Sequence, residues 1–118
     1  MALTLDVAPT ILESAGIPKP AVMQGTSLVP LMAGQKIQWR DDSLYEHLFK
    51  HARIPKSEGV RTDRWKYVRY TDFEPVYEEL YDLETDPLER KNLADAPEFK
   101  MQLTQLRDRC DELIREAE

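Results

Sequence analysis

The chain has 118 residues, of which 42% are apolar and 32% charged, with a formal net charge of −6. That balance predicts one soluble globular domain. It argues against disorder and against a membrane span, which needs a far longer apolar run than any present. An acidic chain is a poor prior for nucleic-acid binding, and a lone cysteine, Cys110, excludes an internal disulfide and a multi-thiolate zinc site.

The first residues, Met1 to Asp6, lack a basic and an apolar leader segment, so no signal peptide is expected and no compartment follows. Residues 6–16 read as a short helix. Asp6 or a neighbour is expected to cap it, Pro9 is tolerated only in its first turn, and Gly16 followed by Pro18 stops it. Residues 25–34 read as a shorter helical turn, capped by Ser27 and ended by Gly34. Ser43–Phe49 reads as a strand. Residues 54–59 are expected to be a loop, in which Glu58 could form a plain ion pair with Arg61. Residues 59–62 and 65–70, rich in aromatic and β-branched side chains about Asp63-Arg64, predict an antiparallel hairpin. Glu78–Leu83 is a further strand, stopped by Thr85-Asp86-Pro87.

The C-terminal stretch carries the clearest helical period. Phe99, Leu103, Leu106, Cys110, Leu113 and Ala117 recur at steps of three and four, with Asp95 as the expected cap and Pro97 in the first turn. This stripe is expected to cover one face of the sheet, with Cys110 in the core. The fold class is therefore α+β: about four antiparallel strands against a long C-terminal helix, preceded by short helices and loops. The predicted division is 1–38, a helix–loop segment, and 39–118, the sheet and helix.

Charge is unevenly distributed. Residues 35–70 hold nine cations and five anions, a net of +4, whereas residues 71–118 net −9. A basic middle could attract an anionic ligand, or the two blocks could attract each other within the fold. The anion reading singles out His47, His51 and Arg61, with Arg53 and Lys56 nearby. His47 and His51 stand four apart. On a helix that spacing would suit a metal, but on a strand it separates them by about 13 Å, so no metal site is predicted. No phosphate loop and no Ser-His-Asp arrangement is readable. Trp65, Tyr67 and Tyr70 beside Lys66 and Arg69 read as sheet core with solvent-facing cations rather than as a nucleic-acid platform.

Six segments in order carry a resemblance. Residues 6–18 (DVAPTILESAGIP), 24–31 (QGTSLVPL), 45–47 (YEH), 58–62 (EGVRT), 64–70 (RWKYVRY) and 79–87 (ELYDLETDP), continued by Asn92-Leu93-Ala94, are similar to the C-terminal region of type I sulfatases in the alkaline phosphatase superfamily. The resemblance implies a small C-terminal subdomain from a larger enzyme. It implies that residues 1–38 would pack on a large α/β domain and, left alone, expose Ile11, Leu12, Val29 and Leu31 to solvent or to self-association. It also implies a parent that uses calcium and a formylglycine made within a Cys/Ser-x-Pro/Ala-x-Arg motif. No such motif occurs here, and no catalytic residue, metal ligand or cofactor is assigned to this chain. The expected partner is a sulfated carbohydrate or aryl sulfate, reached through the parent. The expected role is to support the fold and border the cleft through His47, His51 and Arg61. Open alternatives are a free-standing module for sulfated glycans and a piece of a phosphoester or phosphonate ester hydrolase.

Overall fold

The structure, a computed structural model, describes residues 1–49 and 51–117; Lys50, counted above in the basic block, lies outside them. The chain forms two compact units, Met1–Arg40 and Asp41–Glu118.

The first unit holds α1 (Val7–Ser14) and α2 (Val29–Met32). Pro9 falls in the first turn of α1, where its missing N–H costs no helical bond. Gly16 and Gly34 follow the two helices at φ +68° and +71°, the left-handed geometry that ends a helix. Ser27 does assist α2, its Oγ accepting the Val29 amide at 3.2 Å. Asp6 departs from expectation: its carboxylate does not cap α1. It is fully buried, accepting the amides of Leu3 at 2.8 Å and Thr26 at 2.9 Å and both terminal nitrogens of Arg40. The unit runs to Arg40 for this reason, and because Trp39 Nε1 donates to the Met1 carbonyl.

The second unit is a four-stranded antiparallel sheet in the order β1 (Asp42–His47), β2 (Ser57–Thr62), β3 (Trp65–Tyr70) and β4 (Tyr77–Asp82), followed by α3 (Lys100–Ala117). Alternation along the strands puts Leu44, Val60, Tyr67 and Leu80 in one cross-strand row. This row meets Leu103, Leu106 and Cys110 of α3, with Leu93, and with Trp65, Phe99, Leu113 and Ile114 packed around it. The apolar stripe therefore does cover the sheet, except that Ala117 is exposed at its end.

Two expectations fail locally. Residues 57–59 are strand, not loop: β1 and β3 flank them, so Ser57 and Glu58 pair on both sides. Glu58 cannot reach Arg61 because an offset of three places them on opposite faces. It accepts from Arg69 Nε at 3.0 Å instead. Asp95 does not cap the last helix. Chain entry is through Ala96 into a 3₁₀ turn, Pro97–Phe99, so Asp95 sits one residue too early.

Cys110 is fully buried, and burial pushes its thiol up to about 11. The native chain is expected to leave a thiol-specific chromogenic disulfide unreacted, and to react with one equivalent only once unfolded. Fast labelling of the folded chain would contradict this packing.

Candidate functional site

With α3 on one face, the register defines the other. Ser43, Arg61, Lys66 and Tyr81 form one row across it. Tyr45, Gly59, Val68 and Glu79 form the next, and His47, Ser57, Tyr70 and Tyr77 the third. Four of the chain's five tyrosines stand on this open face. At its centre Gly59 offers no side chain and Val68 lies low, so a hollow of about 420 Å³ opens there. Tyr45, Tyr70, Arg61, Lys66 and Glu79 wall it.

Arg61 is exposed, and among the described residues no carboxylate is in salt-bridge reach of it. Three other cations of the basic block are engaged. Arg64 is bidentate to Asp82 at 2.8 and 3.0 Å, Lys66 holds Glu89, and Arg69 bridges Glu58 and Asp111. Attraction between the basic middle and the acidic tail is thus built into the fold, and it leaves Arg61 on the open face without a carboxylate partner among the described residues.

His47 shares that face but not that end. Arg61 sits opposite Ser43, four residues along β1 from His47, or about 13 Å away. The His47 Nε2 is enclosed without a hydrogen-bond partner among the described residues. His51 lies beyond β1 in the connecting loop, exposed, where its Nδ1 accepts the Arg53 amide at 3.2 Å and its ring stands 6.5 Å from Phe49. The structure therefore places two of the three candidate residues on one face and the third in the adjoining loop. It does not gather them at one point.

The open face is polar yet fixed in charge. The Tyr70 hydroxyl donates to Glu79 Oε2 at 3.1 Å. Burial first, and then the Glu79 carboxylate, pushes both Tyr70 and Tyr81 up to about 12. On the helix side, Arg107 and the Tyr67 hydroxyl hold Glu78 below the usual carboxylate range. Asp82 is held low by Arg64. Every clearly shifted group moves away from neutrality, which locks its resting proton state. A general acid or base needs the opposite shift. The face can bind and orient an anionic or ring-bearing group, and its shifted tyrosines keep their protons at neutral pH.

No group of three or more His, Cys, Asp or Glu among the described residues could hold a metal ion. The calcium that the resemblance implies finds no such cluster of donors among the described residues, and no step is routed through it. No described helix is long and apolar enough to cross a membrane.

The hollow was not foreseen from sequence. Its signal, read in retrospect, is the alternation of Lys66, Val68 and Tyr70 opposite a glycine in the neighbouring strand.

The sequence matches the family described as N-sulphoglucosamine sulphohydrolase, C-terminal, over residues 1–116. A Δ4,5-hexuronate-2-O-sulfatase of Bacteroides thetaiotaomicron is 38% identical across 94% of this chain and 23% of its own length. A choline-sulfatase of Rhizobium meliloti is 40% identical over 79% of this chain and 18% of its own. The solved structure of a 2-O GAG sulfatase superposes at a TM-score of 0.84 with 36% identity, covering 96% of this chain and 24% of that one. The chain thus spans about a quarter or less of the relatives it matches. Sheet, long helix, segment order and family match agree, and the chain belongs to the family of sulfatase C-terminal regions.

Proposed function

We propose that this chain serves as the C-terminal subdomain of a sulfuric ester hydrolase, supporting the fold and bordering the substrate cleft without performing the chemistry. The observation that carries the reading is the family match along nearly the whole chain. In this reading residues 1–38 rest on a large α/β domain and residues 39–118 form the subdomain. The nucleophile and the calcium belong to the rest of the parent. Arg61, His47 and His51 contribute positive or hydrogen-bonding groups toward a sulfated carbohydrate or an aryl sulfate. Relatives whose names specify sulfated sugars support that substrate class. The exposed Ile11 and Leu31 are the surface the first unit would present to the parent.

The isolated chain is expected to give no turnover of a chromogenic aryl sulfate, with or without calcium; turnover that tracks the purified chain would overturn the proposal. In the full-length enzyme containing this segment, Arg61→Ala is expected to lower kcat/KM by roughly tenfold to a hundredfold. That is the range for losing one charge-assisted hydrogen bond. His47→Ala and His51→Ala are expected to act in the same direction. Unchanged kinetics in soluble variants would remove these residues from the cleft while leaving the family assignment in place.

A further inference from the structure

The sheet has two outer edges, and they differ. Along β4 the backbone is sealed. The Leu80 amide donates to Asn92 Oδ1 at 3.0 Å, Asn92 Nδ2 donates to the Glu78 carbonyl at 2.9 Å, and the Leu93 amide donates to the Leu80 carbonyl at 2.8 Å. Along β1 every ladder partner lies on β2, and among the described residues nothing closes the outward amides and carbonyls of Asp42–His47. Such an edge is a template for another strand unless charge or twist guards it. The guard here is thin. Asp42 is tied inward to Arg109 Nε at 2.5 Å, which leaves Glu46. Tyr45, Leu48 and Phe49 lie beside it, 50%, 60% and 69% exposed.

We propose that β1 pairs antiparallel with β1 of a second copy, about a two-fold axis at Tyr45, joining two sheets into one of eight strands. The strand's own charge pattern selects this occupant. A two-fold pair across one sheet keeps opposed side chains on the same face, so only registers matching odd with odd and even with even are open. Centring on Leu44 sets Asp42 against Glu46 twice, a like-charge opposition. Centring on Tyr45 sets Tyr45 on Tyr45, Ser43 on His47 and Leu44 beside Glu46, with no like charges opposed and an aromatic pair at the axis. A second copy carries this pattern by construction. Both α3 helices then cover the same side of the joined sheet.

Sedimentation of the chain over a range of concentrations tests this, alongside amide hydrogen exchange. The expected species has twice the chain mass. Tyr45→Lys sets two ammonium groups together at the axis, and it is expected to halve that mass with an unchanged circular dichroism spectrum. Ile11→Glu, on the first unit, should leave the dimer intact. In the unmodified chain, the outward β1 amides should slow by roughly tenfold from dilute to concentrated solution, which decides the matter even where Tyr45→Lys fails to fold. A monomer at every concentration overturns the proposal. So does an assembly that Ile11→Glu abolishes and Tyr45→Lys spares.

Discussion

A Gly59→Ala chain is expected to lose about 3 kcal/mol or more of stability. A Cβ built on Gly59 would stand 2.1 Å from the Tyr67 carbonyl oxygen and 3.0 Å from the Val68 Cα. Both are backbone atoms of β3, the strand paired with β2, so no rotamer change relieves the clash. The strands must shift apart at the centre of the sheet, where Val60 and Tyr67 are both 1% exposed. Overpacking in a core usually costs 1–3 kcal/mol, and losing ladder bonds adds to it. For a unit of this size roughly 3 kcal/mol corresponds to a fall in Tm of roughly 15 °C. Gly34→Ala is the control. No atom lies within 4 Å of its Cβ, so only the positive φ is penalised, at roughly 1 kcal/mol. Equal melting shifts for the two variants would refute the steric account.

That contrast also shows what could be read from the residues alone. The long helix and the β2–β3 hairpin were legible because each repeats an apolar spacing over several turns or pairs. Leu103, Leu106 and Cys110 occupy the buried positions that spacing assigns. The strand character of residues 57–59 was not legible. Pro55, Ser57 and Gly59 carry loop chemistry locally, and the extended state is imposed by β1 and β3 on either side. Gly59 is there for room, which only the neighbouring strand reveals. The pattern of cations puts Arg61 on a strand but does not fix which face it takes. That depends on the strand's parity relative to α3. The fate of its neighbours depends on partners far along the chain, such as Asp82 for Arg64 and Asp111 for Arg69. The resemblance was legible for another reason: short segments, each weak, kept their order along the chain.

Asp6 departs from the cap its position suggests because its partners, Thr26 and Arg40, lie far along the chain, and its replacement is expected to unfold the first unit at neutral pH. A residue before a helix is ordinarily a cap, yet this carboxylate sits beneath Arg40, thirty-four positions away, and takes two backbone amides as well. Burial alone would raise its pKa. The Arg40 guanidinium and the Thr26 and Leu3 amides outweigh that and bring it down from 3.8 to about 2. Its folded pKa is therefore depressed. The contribution to stability is complete above about pH 4 and is lost as the pH falls through about 2. Asp6→Asn keeps the shape but leaves the Arg40 guanidinium, itself only 20% exposed, without its counter-charge. Breaking one side of such a buried pair costs roughly 3 kcal/mol, a large share of what a segment this short can hold. Trp39 reports the event, because its Nε1 donates to the Met1 carbonyl and the Arg40 guanidinium lies 4.8 Å from its ring centre. In a chain with Trp65 replaced by Phe, Trp39 fluorescence should show an acid transition between about pH 4 and 2. In Asp6→Asn the emission should already be that of the unfolded segment at pH 7. An Asp6→Asn chain whose Trp39 signal matches the parent chain from pH 7 down to pH 2 would show that the ion pair does not hold this unit together.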